Sequence, residues 1–450
     1  MTKLPVDSDT IVAVATPPGR GGVCILRLSG PRALSLAKMV AGALPAPRQA
    51  GLRMLHAADD APIDRALVLV FPGPASFTGD DVVEFQLHGS PVLATLLIRR
   101  LVELGAREAG PGEFSRRAFV NGRIDLAQAE AVADLVQSAS ADAARAALRS
   151  LEGEFSAAVE SLAETLAGLR VRLEAGMDFP EEGVDTFSDP ELGNSIEEFL
   201  QRLRRLRRAA DRGRALHDGL TLVIAGPPNA GKSSLLNRLA GYGAAIVTEL
   251  PGTTRDLVRE DILIDGMPLR VVDTAGLRDG ADRIELEGIR RARDAMQRAD
   301  LVLLVTDATA GEPGDLPELP AEVPVLEVRN KIDLLNFAPG EHTADSGRPV
   351  IRLSALTGEG LELLRERLKA FAGYGSGEGS TYSARRRHLE ALDLAGRHAG
   401  EALALVRAEE AAELAAEELR LAHHALGEVT GEFTTEDLLG RIFGEFCIGK

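Results

Sequence analysis

The stretch Gly226-Pro227-Pro228-Asn229-Ala230-Gly231-Lys232-Ser233 decides the fold of the middle of this chain. The apolar run from Thr221 to Gly226 has the make-up of a buried parallel strand, and a helical pattern begins near Lys232. A glycine-bearing loop in that position aims successive backbone N–H groups and a helix N-terminus at a phosphate. Lys232 is then placed to neutralise β- and γ-phosphates, and the Ser233 hydroxyl, with Ser234 next in the same turn, to ligate Mg2+. The plainer alternative is a Gly-rich turn beside a solvated lysine.

Later segments weigh against that alternative. A second apolar run, Leu269 to Val272, delivers Asp273 to a strand end, where a carboxylate holds the Mg2+ shell through water. Thr274, Ala275 and Gly276 follow, and Gly276 offers an N–H to the γ-phosphate with no side chain in the way. Thr253 and Thr254 close a loop of turn formers, Glu249-Leu250-Pro251-Gly252, suited to a switch that orders around Mg2+ through Thr254. At the other end, Val323 to Val328 reads as a strand that leads into Asn330-Lys331-Ile332-Asp333. The Asp333 carboxylate can accept from both N1–H and the 2-amino group of guanine. Adenine offers no such pair and would leave the carboxylate unpaired, a discrimination on the order of 10⁴ or more. Ser354-Ala355, followed by Leu356, comes after the strand-like Val350 to Leu353 and can present a backbone N–H to guanine O6. The set selects GTP over ATP.

Leu277 stands where many GTPases keep a water-orienting glutamine, and leucine cannot hydrogen-bond a water. Phosphoryl transfer depends on positioning the nucleophile and neutralising charge, so other groups must supply both. Pro228-Asn229-Ala230-Gly231-Lys232-Ser233-Ser234, Pro251-Gly252-Thr253-Thr254-Arg255-Asp256, Asp273-Thr274-Ala275-Gly276-Leu277-Arg278 and Phe446-Cys447-Ile448-Gly449-Lys450 together resemble the MnmE (TrmE) family of tRNA modification GTPases. The resemblance runs over essentially the whole chain, including the opening Asp9-Thr10-Ile11-Val12-Ala13-Val14-Ala15-Thr16-Pro17-Pro18-Gly19-Arg20-Gly21-Gly22. It implies GTPase domains that pair across their nucleotide sites, with K+ in place of an arginine finger. It places the K+ ligands at Asn229, Thr248, Leu250 and Thr253, a neutral oxygen cage that suits a large monovalent cation. It also places a water-positioning carboxylate at Glu285, which without the resemblance reads as a solvated residue early in a helix. Pro227 departs from the family pattern, since relatives carry Arg there.

The chain has 450 residues, 45% hydrophobic and 26% charged, as expected of a soluble protein of several domains. Two cysteines, no apolar N-terminal h-region and no run of membrane-span length give an expectation of a cytoplasmic protein without membrane contact. The net charge of −17 argues against a constitutive RNA clamp. The basic runs Gln201 to Arg208 and Arg385 to His388 read either as solvated helix faces or as places for tRNA.

The expected organisation is an α+β N-terminal domain over 1–120, a first helical part over 121–217, a Ras-like α/β P-loop GTPase domain over 218–375 and a second helical part over 380–450. The two Ala/Leu/Glu/Arg-rich blocks need partners for their apolar faces and are expected to pack together, with the GTPase domain inserted between them.

The N-terminal region carries no motif that declares chemistry unaided. The resemblance makes it a folate-binding-like and dimerising domain, with a one-carbon tetrahydrofolate (5-formyl or 5,10-methylene) at Arg27, Glu84, Arg123 and Lys450. Arg123 stands where relatives carry Lys, which keeps the charge but changes its shape. Cys447 would be a reactive thiol only with a lowered pKa. The resemblance further implies a homodimer and a flavoprotein partner, MnmG, that brings FAD into a heterotetramer. That complex would add an aminomethyl-type group to C5 of the wobble uridine of certain tRNAs. Two other readings of the same motifs are a ribosome-assembly GTPase and a dimeric GTP-switch scaffold, and folate binding separates them from the first.

Overall fold

The structure is a computed structural model that describes residues 9–138, 140–178, 190–242, 259–264, 267–273, 293–310, 319–320, 323–335, 337–344, 347–371, 381–408, 411–433, 435–444 and 446–449. Contacts divide the chain into two units, one of Met1–Val136, Ala147–Arg207 and Arg387–Lys450, the other of Gln137–Ala146 and Arg208–Arg386. The second therefore interrupts the first in sequence.

The first unit opens with β1 (Ile11–Val14), β2 (Val23–Ser29), α1 (Ala33–Ala41), β3 (Gly51–His56), β4 (Pro62–Phe71), β5 (Val82–His88), α2 (Pro91–Glu103) and β6 (Arg107–Glu108). The six strands form one sheet in the order β3-β4-β5-β2-β1-β6, and only the β1–β6 pair is parallel. Alternation from Ala66 in β4 and from Val83 in β5 sends Ala66, Val68, Val70, Val83, Phe85 and Leu87 inward, against Leu36 and Val40 of α1 and Leu97 and Leu101 of α2. The opposite face carries Arg27, Glu84 and the exposed Leu52, Met54 and Leu67.

Helices complete this unit: α3 (Glu113–Val120), α4 (Leu126–Gln137), the end of α5 (Ala141–Leu151), whose residues up to Ala146 fall in the second unit, α6 (Glu154–Asp178) and the start of α7 (Pro190–Asp218). After the second unit the chain returns as a helix here numbered α10 (Arg386–Ala408), then α11 (Ala412–Thr430) and α12 (Glu436–Gly444). The two helical blocks do pack together, with α6 lying along α11. The C-terminal tail comes back to the N-terminal domain, where Ile448 bridges to Pro111. Gly449 has φ +97, and a Cβ there would stand 2.1 Å from the Val14 carbonyl oxygen, so only glycine lets the tail lie this close to β1.

The second unit holds β7 (Leu220–Ala225), α8 (Lys232–Tyr242), β8 (Arg259–Ile264), β9 (Met267–Asp273), β10 (Leu301–Asp307), β11 (Val325–Asn330), β12 (Gly340–Thr343), β13 (Pro349–Arg352) and α9 (Leu361–Phe371). Its seven-stranded sheet runs β12-β13-β11-β10-β7-β9-β8, a parallel centre with an antiparallel strand at each edge. Leu222 to Ala225 of β7 and Leu301 to Val305 of β10, at the centre of the sheet, are apolar without interruption, because both faces are covered. This is an α/β P-loop domain, and the ends of β7, β9 and β11 carry the motif residues. Among the described residues no helix is long and apolar enough to cross a membrane.

Candidate nucleotide site

The phosphate loop leaves β7 at Gly226, whose φ of +142 brings it so close to β10 that a Cβ would stand 2.0 Å from the Val305 carbonyl oxygen. Asn229 follows with φ +61, a left-handed conformation that asparagine tolerates better than most residues, and its side chain is exposed. Lys232 is buried, and its ammonium donates to the carbonyls of Gly226 at 3.0 Å and Pro227 at 2.8 Å. The cation expected at the phosphates is thus folded back onto the loop it would serve. Ser233 and Ser234 are exposed in the first turn of α8. The strand β9 sets Asp273 in register with Ile224 of β7, beside the start of the loop.

One buried side chain joins the two ends of the site. Asn330 Nδ2 donates to the Ala230 carbonyl at 2.9 Å, and its Oδ1 accepts from the Ala355 N–H at 2.9 Å. A Cβ at Gly231 would lie 2.2 Å from that Nδ2, so glycine is what lets Asn330 reach the phosphate loop. Lys331 then turns into the left-handed region at φ +70, and its ammonium meets Asp307 Oδ2 at 2.7 Å. Burial alone would raise the Asp307 carboxyl, but the hydrogen bonds from Lys331 and Thr309 outweigh it and hold it below the usual carboxylate range. Ile332 is buried and anchors the short turn Ile332–Leu334. Asp333 Oδ1 is buried and has no hydrogen-bond partner among the described residues. A buried acceptor left unpaired costs about 1–3 kcal/mol, so its presence calls for a donor that arrives from outside.

The base loop has its own ties. The Ser354 N–H donates to the Glu359 carbonyl at 2.9 Å, while the Thr357 N–H donates to Ser354 Oγ at 3.1 Å. The amides of Ser354 and Ala355, one of which is expected to present its N–H to guanine O6, therefore both have internal acceptors. Leu356 is 76% exposed. Sequence reasoning missed the bridging role of Asn330, the Asp307 partner of Lys331 and the hold of Arg238 on this loop. The strand end that places Asp307 was readable from its apolar run, whereas nothing in the sequence marks Arg238.

On the N-terminal sheet, Arg27 of β2 and Glu84 of β5 are register partners, and Arg27 Nε donates to Glu84 Oε1 at 2.9 Å. The guanidinium stands 5.6 Å from the Phe77 ring and 5.7 Å from the Phe114 ring, within cation–π range. Arg123 is exposed, and its Cγ is 3.3 Å from where a Cβ on Gly79 would be, two residues beyond Phe77. The structure thus brings Arg27 and Glu84 into contact and sets Arg123 along the neighbouring loop. A carboxylate can accept from paired N–H donors, and guanidinium groups can meet carboxylate oxygens. Cys447 is exposed, and its carbonyl accepts from the Gly112 N–H at 3.4 Å. Thr248, Glu249, Leu250, Pro251, Gly252, Thr253, Thr254, Thr274, Ala275, Gly276, Leu277, Glu285 and Lys450 lie outside the described residues.

Two family models match the chain. The family model described as "GTP-binding protein TrmE N-terminus" matches residues 10–123, and that described as "MnmE helical domain" matches residues 126–447. The chain is 54% identical over 443 residues to the tRNA modification GTPase MnmE of Alkalilimnicola ehrlichii, covering 98% of this chain and 99% of that protein. It is 53% identical over 449 residues to the protein of that name from Methylococcus capsulatus, covering 99% of each. With the Erwinia tasmaniensis protein of that name it shares 51% over 452 residues, 98% of this chain and 99% of the other.

Proposed function

Because the chain belongs to the MnmE (TrmE) family of tRNA modification GTPases, we propose that it is a K+-stimulated GTP hydrolase acting on the wobble uridine of certain tRNAs. Its GTPase identity comes with the family; the single observation that carries the base preference is the unpaired, buried Oδ1 of Asp333. In this reading Lys232 leaves the Gly226 and Pro227 carbonyls to meet the phosphates, while Ser233 and Thr254 hold Mg2+ with Asp273 behind them. Asn229, Thr248, Leu250 and Thr253 would hold K+, which supplies the charge an arginine finger supplies elsewhere. Asn229 is the one ligand of the four that lies among the described residues, and its side chain is exposed in the phosphate loop, where an amide oxygen can meet a cation. Glu285 would orient the attacking water that Leu277 cannot.

The tetrahydrofolate site rests on Arg27 and Glu84, with Arg123 and Lys450 as further cations. A bound folate would supply the one-carbon unit, and FAD on a flavoprotein partner (MnmG) the redox chemistry, in a cytoplasmic heterotetramer. The exposed Leu52, Met54 and Leu67 on the outer sheet face, at 47%, 43% and 40%, support a homodimer through that face.

The decisive experiment compares GTP turnover in K+ and in Na+ at equal ionic strength. Turnover should rise at least about tenfold in K+, and equal rates would overturn the K+ reading. Glu285→Ala should keep GTP affinity and lose turnover; retained turnover would remove Glu285 from the mechanism. Titration with 5-formyltetrahydrofolate should give saturable binding that Arg27→Ala abolishes; absence of binding to the unaltered chain removes the folate reading. Leu67→Glu should convert the dimer to a monomer in light scattering.

A further inference from the structure

Arg238 stands two turns into α8, the helix that the phosphate loop opens. Its Nε donates to the Ala355 carbonyl at 3.2 Å and its Nη2 to the Leu356 carbonyl at 2.6 Å. From the other side, Asn330 Oδ1 accepts from the Ala355 N–H at 2.9 Å. Residue 355 is therefore held at its amide by one side chain and at its carbonyl by another. The planar fork of a guanidinium can span two successive carbonyls, which the point charge of an ammonium cannot do.

This grip matters because the Ala355 N–H already has an acceptor. For guanine O6 to receive it as well, the N–H must be shared between Asn330 and the base in a three-centre bond. Such sharing needs the peptide held in one place, since a small rotation gives the whole hydrogen bond back to Asn330. The exposed Leu356 side chain offers no anchor for the loop. Accordingly, we infer that Arg238 is a positioning residue for base recognition, fixing the 355–356 backbone so that its amide can serve guanine O6. One helix then answers to both ends of the nucleotide, with its N-terminus at the phosphates and its flank at the base loop. The inference rests on the guanine reading of the site, and Arg238 acts through the Ala355 and Leu356 carbonyls that it holds.

The test is equilibrium binding of GDP, IDP and 6-thio-GDP to the full chain and to its Arg238→Ala and Arg238→Lys variants. IDP keeps O6 and lacks the 2-amino group, while 6-thio-GDP keeps that group and replaces O6 by a weak acceptor. Arg238→Ala should weaken GDP and IDP by about fivefold each, as loss of a charge-assisted contact would. It should change 6-thio-GDP by less than about twofold, because the affected hydrogen bond is already poor there. Arg238→Lys should recover part of the loss. Equal weakening of all three ligands would show general loosening and overturn the inference, as would unchanged GDP binding. If the unaltered chain shows no preference for GDP over IDP, the guanine reading of Asp333 fails instead.

Discussion

Two carboxylates with buried oxygens, Glu130 in the first unit and Asp333 in the second, are treated in opposite ways. Glu130 is 1% exposed, receives Arg387 Nε at 2.8 Å and Nη2 at 2.6 Å, and has His388 Nε2 at 2.8 Å. Arg387 in turn donates to the carbonyls of Glu428 at 2.8 Å and Val429 at 3.2 Å, so the group ties α4, α10 and α11 together. Asp333 Oδ1 has no such company. A fold that satisfies one buried carboxylate this fully and leaves another bare separates a structural hub from a binding group. Burial alone would raise the Glu130 carboxyl, but the charges of His388 and Arg387 hold it well below the usual carboxylate range.

The largest break of this contrast should come from Asp333→Asn. GDP affinity should fall on the order of 10³-fold or more, because an amide cannot accept both guanine donors. Xanthosine diphosphate, which carries a carbonyl in place of the 2-amino group, should bind the variant better than GDP does. Titration calorimetry reads both values. Unchanged GDP affinity would mean that Asp333 does not face a base.

Next in size is Glu130→Ala, which leaves Arg387 and His388 without their buried partner and should cost about 3–5 kcal/mol. The chain has no tryptophan, so urea unfolding is best followed by far-UV circular dichroism. GDP binding in the other unit should persist at low urea, and its loss would mean that the two carboxylates are not independent.

The same carboxylate gives the fold a pH dependence. A group whose folded pKa is depressed adds stability that is present above its unfolded pKa, near 4.3 for glutamate, and is lost as pH falls toward the folded value. The stability gap between the unaltered chain and Glu130→Gln should therefore be full at pH 6 and should shrink as pH drops below about 4.3. A gap that stays constant through that window would assign the effect to packing.

How much of this was legible follows from the length scale of each signal. The strand–loop–helix around Gly226 and the run before Asn330 are local, apolar and punctuated by glycine, and the structure has them where the pattern predicts. The strand β12, Gly-Glu-His-Thr, has no apolar pattern because it is an exposed edge that pairs only with β13, so nothing in its residues announces it. The site divides the same way. Lys232, Asn330 and Asp333 sit in motifs, whereas the contact of Asn330 with Ala230 spans 100 residues and that of Arg238 with Ala355 spans 117, and such contacts leave no periodicity to read. Glu130 and Arg387 are 257 residues apart, in two helical blocks whose packing the composition suggested but whose register it did not.

The smallest expected effect sharpens the contrast by holding chemistry fixed. Arg420 meets Glu417 with Nε and Nη2 both at 2.7 Å, the same two-pronged contact that Arg387 makes with Glu130. The hydrogen bond from Arg420 lowers the Glu417 carboxyl, yet both side chains are about half exposed. Water solvates either partner when the other is removed, and salt screens their attraction, so no buried charge is orphaned. Glu417→Gln should therefore leave the urea midpoint unchanged within error at 150 mM salt, while Glu130→Gln lowers it clearly. Equal shifts from the two variants would show that contact geometry, rather than burial, sets the value of these pairs. Desolvation would then be the wrong reason to single out Asp333 as a group that waits for a ligand.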